Sequence, residues 1–187
     1  MSDCSEELCA RARAGDMEAA AQLVTLHYQR IYAFLRRLCG NEDDAAELTQ
    51  KTFSKAWESL GEYAGRSSFS TWVHGIARYV YLNWRRQAGR LDGASEAWWE
   101  AQAAEGPSPF EDAAERDLAA HLYGLVDRLD DEKREAVHLH YFQGLSLKET
   151  AEALGAAEST VKYRLRAALD YLRKQPLEAN RERRKQQ

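Results

Sequence analysis

No proline precedes Pro107, so nothing in the first half of the chain stops backbone N–H groups from pairing within helices. Over residues 16–90 apolar side chains recur at three- and four-residue spacing, with breaks at "CGNEDD" and "GEYAGRSS". That pattern predicts successive amphipathic helices and an all-α fold. The stretch "LDGASEAWWEAQAAEGPSPFED" then loses the period and mixes Gly, Ser, Pro and acids, as a linker does. Helical spacing resumes at Ala113 with "AAERDLAAHLYGLVDRL" and "DDEKREAVHLHYF". The expected organisation is two small helical domains, 16–91 and 113–175, joined by a flexible acidic linker over 92–112 into which Trp98 and Trp99 bring docking side chains. Residues 1–15 read as an N-terminal extension or the start of the first helix, and 176–187 as a polar tail. With 44% hydrophobic residues in 187, both domains have material for a core.

Several function classes are disfavoured. No run of eighteen apolar residues occurs, and "MSDCSEELCARARAGD" lacks the basic start and apolar block of a signal peptide, so a cytoplasmic protein with no membrane insertion is expected. Cys4, Cys9 and Cys39 are odd in number and form no CxxC pair, which suits buried or idle thiols. His138 and His140, two apart on a helix, point about 200° from each other and share a metal poorly. No glycine-rich phosphate loop is present. Neither a cofactor nor an enzymatic activity is expected.

The net charge of −4 hides a segmentation. Residues 61–91 carry five basic side chains against one acid, 92–132 carry two against twelve, and 133–187 carry twelve against seven. Two basic blocks flank an acidic one, and phosphate attraction depends on such local charge because screening cuts it off within about 10 Å. In the second block, Ser146 with Glu149 three residues on forms a capping box, and Gly155 suits the left-handed end of a short helix. A longer helix is predicted from about Glu158. Its Val161, Leu165, Ala168, Leu169 and Leu172 share one stripe, while Ser159, Lys162, Tyr163 and Arg166 lie opposite and Thr160 at the edge. Short helix, glycine turn and longer cationic helix make a helix-turn-helix of the kind that enters a major groove. An ordinary solvated face is the alternative, but solvated faces mix signs and no carboxylate falls between Ser159 and Arg166. The first basic block interleaves Trp72, Tyr79, Tyr81 and Trp84 with Arg78, Arg85 and Arg86, the composition of a surface that stacks unpaired bases. Trp72 also shares helical spacing with Ile76, which suits a core position equally.

On these blocks the chain resembles the extracytoplasmic-function (ECF) group of bacterial sigma factors. "DDAAELTQKTFSKAWESL" is similar to the family's region 2.2, "GRSSFSTWVHGIARYVYLNWRRQ" to regions 2.3 and 2.4, and "EKREAVHLHYFQGLSLKETAEALGAAESTVKYRLRAAL" to region 4. The resemblance implies a sigma region 2 bundle over 16–91 and a region 4 helix-turn-helix over 113–175, binding core RNA polymerase (the clamp helices of its largest subunit and the flap of the second largest) and promoter DNA. It assigns polymerase contact to Glu47, Gln50, Lys51, Ser54 and Glu58, outward of a stripe of Ala45, Thr49, Phe53, Ala56 and Leu60. Minus-10 recognition and melting fall to Arg66, Ser67, Ser68, Trp72, Arg78, Tyr79, Asn83, Arg85 and Arg86. Minus-35 recognition falls to Ser159, Thr160, Lys162, Tyr163, Arg164 and Arg166.

The chain departs from the family pattern at four positions: Lys51 stands where an acid is usual, Tyr79 where Asn is common, Tyr163 where Ser is common and Ala167 where Arg is common. Control by an anti-sigma protein is one expectation. The Lys51 departure adds another, a Ser/Thr kinase acting at Thr52 or Ser54, read as lying toward the outer side of the helix, because a phosphate there would reverse the local charge. A conventional helix-turn-helix regulator would share the C-terminal motif but has no need of the aromatic and basic block at 66–86.

Overall fold

The computed structural model describes residues 2–87 and 121–175, with side chains from Glu6 onward. The linker, Trp98, Trp99 and the tail lie outside the described residues. Among the described residues every regular element is helical. The first module comprises α1 (Ser2–Arg13), α2 (Met17–Cys39), α3 (Glu42–Glu58), a 3₁₀ turn at Leu60–Glu62 and α4 (Phe69–Gln87). The second comprises a helical stretch over 121–127 (α5), α6 (Asp131–Val137) running into a π-helical turn at His138–Phe142, α7 (Leu147–Leu154) and α8 (Glu158–Lys174).

Local chemistry sets most of these boundaries. Asp16 caps α2 by accepting from the Glu18 and Ala19 N–H groups, and Arg11 of α1 donates twice to the same carboxylate. Those bonds, the Ala19 N–H first, hold Asp16 below the usual carboxylate range. Gly40 ends α2 at φ 71°, and Asn41 caps α3 through the Asp44 N–H. The predicted capping box at Ser146 and Glu149 is formed in both directions, and Gly155 closes α7 at φ 62°.

The first-module core is built on Leu23, Ile31, Phe34, Leu35, Leu48 and Val73, each at most 2% exposed. Residues 2–13 form a helix of their own whose Leu8, Cys9 and Ala12 are buried against it. The second module packs α6 on α8 and α7 on α8 around Val126, Ala136, Leu139, Val161 and Ala168. Burying one such aliphatic side chain stabilises by about 1.5–3 kcal/mol.

The modules also pack on each other. Helix α4 lies along α7, and the Gly75 backbone comes so close that a Cβ there would sit 3.7 Å from the Ala153 carbonyl oxygen. Arg30 donates to the Gln143 carbonyl, and the Arg37 guanidinium lies 3.6 Å above the Tyr123 ring.

Candidate nucleic-acid interface

Helix α8 presents an open face. Val161, Leu165 and Ala168 are buried, whereas Ser159, Lys162, Tyr163 and Arg166 are exposed, Tyr163 to 71%. No side chain caps Ala157 at its start, so the first N–H groups point to solvent or to an incoming phosphate. Lys162 pairs with Glu158 one turn back at 2.8 Å, a local partner that a duplex can displace. Arg164 differs from its neighbours on this helix. Its guanidinium turns inward to Glu132 at 2.8 Å and is only 15% exposed, so it braces α8 against α6 instead of joining the outer face.

Helix α4 presents the same chemistry under a cover. Arg78 donates to Glu135 at 2.7 Å, and the Glu135 side chain is 4% exposed. Arg85 pairs with Asp131, and Arg86 donates to Asn83 on its own helix. At the start of α4, the Ser68 and Thr71 hydroxyls both stand 3.2 Å from Glu149 of α7. The Ser146 N–H first, and then these hydroxyls, hold Glu149 below the usual carboxylate range. Of the nine minus-10 candidates, Ser68, Arg78 and Arg85 are therefore engaged by the second module, while Arg66, Tyr79 and Arg86 are exposed. Tyr81 is 3% exposed and belongs to the core, which removes it from the aromatic surface suggested by its spacing.

A cleft of about 460 Å³ lies between the modules, lined by Lys55, Ser67, Trp72, Tyr79, Glu152 and Ala153 among others. Trp72 serves both roles allowed by its spacing. It packs on Tyr63 and Phe69, with ring centroids 4.9 and 5.6 Å away, and shows its remaining edge to the cleft. The Lys55 ammonium stands 5.6 Å from the Tyr79 ring. Lys55, Glu152 and the three acids Asp131, Glu135 and Glu149 escaped sequence reasoning as site residues. The only signal for the acids was that residues 63–87 contain no carboxylate of their own.

On α3, Glu47, Gln50, Lys51, Ser54 and Glu58 are all exposed, and Lys51 pairs with Glu47. Thr52 does not lie on that side. It is fully buried and its hydroxyl donates to the Leu48 carbonyl at 2.7 Å, because α3 buries Leu48 and Thr52 beside Ala45, Thr49 and Ala56. A kinase cannot reach it in the folded protein.

Two histidines, His74 and His138, are fully buried. His74 of α4 donates from Nδ1 to the Ser70 carbonyl, 2.7 Å away, and burial pushes its pKa down to about 4. Burial likewise drives His138 down to about 3. Asp127 is pushed up to about 7 by burial, against the pull of Arg134 and Arg37. Cys9 is buried and Cys39 partly so, and burial raises both thiols to about 11. Among the described residues no group of His, Cys, Asp and Glu could hold a metal, and no helix is long and apolar enough to cross a membrane.

A helical bundle joined to a helix-turn-helix, with one cationic face open and another covered, defines a two-module DNA-binding protein. Residues 23–91 match the Sigma-70 region 2 family and residues 121–172 match Sigma-70, region 4. The chain is 31% identical over 165 residues to the ECF RNA polymerase sigma factor SigX of Bacillus subtilis, covering 84% of each. It is 34% identical over 153 residues to ECF RNA polymerase sigma factor SigE of Mycolicibacterium smegmatis, covering 81% of this chain but only 59% of that relative. Among solved structures, CnrH in complex with the cytosolic domain of CnrY is similar at a TM-score of 0.68 and 25% identity, over 90% of this chain and 94% of that one. RpoE of Bartonella quintana, solved with the anti-sigma factor NepR, shares the fold at a TM-score of 0.64 and 23% identity, over 81% and 92%. The chain belongs to the ECF group of the sigma-70 family, whose members direct RNA polymerase to promoters.

Proposed function

We propose that the two modules divide the work as the family's regions do. The outer face of α3, with Glu47, Gln50, Lys51, Ser54 and Glu58, meets the polymerase clamp. Helix α4 and the turn before it, through Arg66, Ser67, Trp72, Tyr79 and the arginines, capture the minus-10 element, and the second module reads the minus-35 element through α8. The observation that carries this is the outer face of α8, where Ser159, Lys162, Tyr163 and Arg166 stand exposed beyond a buried stripe of Val161, Leu165 and Ala168. A helix so seated can enter a major groove without repacking. The cleft beside Trp72 and Tyr79 has the aromatic walls that offset the few kcal/mol of extruding a base.

The protein works in the cytoplasm, where its polymerase is. The similarity to CnrH, solved with the cytosolic domain of CnrY, supports an anti-sigma protein as a partner. A kinase at the α3 face would act on Ser54, which is exposed, but the pair that Lys51 makes with Glu47 favours the simpler reading, in which Lys51 is neutralised within its own helix and other contacts carry polymerase binding. Run-off transcription with core polymerase and a promoter library tests the whole reading. Sequence-specific starts are expected, and a protein that binds DNA but never starts transcription would be a conventional regulator.

A further inference from the structure

Helix α8 carries cations beyond the residues that start it. Lys162, Arg166 and Arg173 recur at helical spacing, fall within about 40° of one another around the axis and span about 16 Å along it. A recognition helix meets base edges with its N-terminal residues, so Arg173, in the last turn and 76% exposed, lies beyond the bases such a helix reads. The three cations line a groove of about 390 Å³, and the π-helical turn adds His140 and the half-exposed Tyr141 to the same groove. Leucines of α7 and α8 complete the lining, together with a single acid, Asp170, which stands 3.5 Å from Arg173. Three cations against one acid leave the groove positive whatever the state of His140.

His140 is tied down in one tautomer. Its Nδ1 stands 2.7 Å from the Leu145 carbonyl, an oxygen that can only accept, so Nδ1 carries the proton and donates it. A neutral His140 is then left with a bare lone pair at Nε2, which repels a phosphate oxygen. Only the imidazolium has an N–H there to offer. We infer that the groove holds phosphates of one DNA strand against the flank of α8, and that His140 joins the grip only as imidazolium, so that duplex binding takes up a proton. The inference rests on the reading of α8 as the duplex-facing helix. Lysine, arginine and tyrosine side chains are the donors that fix a protein on a duplex backbone, and this groove brings all three types together. Phosphate favours the charged form of a histidine, so affinity should be highest in mild acid and should be lost as pH rises through the range where histidines titrate.

The test uses the full chain and fluorescence anisotropy with a labelled random duplex pool of about twenty base pairs, a fit probe because a phosphate contact acts on all sequences about equally. Circular dichroism establishes that each protein is folded at pH 6 and at pH 8. The native chain should bind about fivefold more weakly at pH 8 than at pH 6. His140→Asn, whose amide nitrogen takes the place of Nδ1 toward Leu145, should bind at both pH values as the native chain does at pH 8. His140→Arg, a cation throughout, should bind at both as the native chain does at pH 6. Arg173→Gln should weaken binding at either pH and lower the slope of log affinity against log salt by about one. A native chain whose binding ignores pH, a pH dependence that persists in either folded His140 variant, or a salt slope unchanged in Arg173→Gln overturns the inference. Arg166→Ala separates the two failures. Weaker binding by Arg166→Ala beside any of those results leaves α8 standing as the duplex-facing helix and rejects the groove alone, whereas native affinity in Arg166→Ala rejects that reading of α8, and the groove with it.

Discussion

The outer faces of α8 and α4 have nearly the same composition, Lys162, Tyr163 and Arg166 on one and Arg78, Tyr79 and Arg85 on the other, yet the first is open throughout, whereas on the second both arginines are held by acids of the other module and Tyr79 stays exposed. Tyr163 is 71% exposed, whereas the Arg78 side chain is 26% exposed and held by a buried carboxylate. What separates them is the origin of the neutralising acid. On α8 it comes from the same helix, one turn away, so the face needs no other element. On α4 it must come from elsewhere in the chain, and the element that supplies it also hides the surface. The availability of a cationic face is thus set by where its counter-ions are attached.

Four measurements would break or sharpen that contrast. The largest effect is expected from Arg78→Ala, which strands Glu135 in its buried position and should cost about 3 kcal/mol in denaturant unfolding. Adding Glu135→Leu should recover most of the loss, and a double variant no better than the single would show the pair to be incidental. Next, Arg166→Ala should leave stability unchanged but weaken duplex binding by about 1–3 kcal/mol if the guanidinium reads a base edge. Arg78→Ala should not weaken duplex binding by the free chain in the same way. Equal losses from both would erase the distinction between the faces.

Acid should weaken the fold through its buried histidines, one in each module. His74 and His138 are held neutral in the fold, at about 4 and about 3, so the unfolded chain takes up protons that the folded chain refuses. Their stabilisation is complete above about pH 6.5 and falls as pH drops, by at most about 1.4 kcal/mol per histidine per pH unit. Asp127, raised to about 7, runs the other way over roughly pH 4–7 and offsets part of the loss. The net decline between pH 6.5 and 5.5 should be about 1 kcal/mol, seen as a lower melting temperature. A melting temperature constant or rising over that interval would contradict it. The smallest effect belongs to Lys51→Ala, whose exposed pair with Glu47 is worth under about 0.5 kcal/mol. A larger loss in thermal unfolding would mean that Lys51 braces more than its own helix.

Much of this was legible because it is local. The stripe on α8, the capping box at Ser146 and the left-handed Gly155 each depend on residues within a turn or two. Misplacements began where the third dimension decided. Thr52 can be placed outside on a wheel drawn through Thr49 and Phe53, but α3 packs through Leu48 as well, and the buried sector widens to take it. Tyr81 alternates with arginines in sequence and still faces inward, because α4 is covered on more than one side. The first helix was hidden by its polarity, with only Leu8, Cys9 and Ala12 among the described side chains turned to the core. The pairing of Arg78 with Glu135 spans 57 residues and leaves no periodic trace.

The π-helical turn at His138–Phe142 has a mechanical consequence. Its backbone closes from the Gln143 N–H to the His138 carbonyl at 2.9 Å, one residue wider than an α-helical turn. That extra residue works as a phase offset between α6 and everything after it. Deleting one residue there would tighten the turn to α pitch and rotate the following backbone by about 100°. Glu149 would swing away from Ser68 and Thr71, and Arg164 would lose its register with Glu132. A single amino acid thus indexes α8 to the rest of the molecule, and the alignment of the two cationic faces depends on chain count as much as on any contact between them.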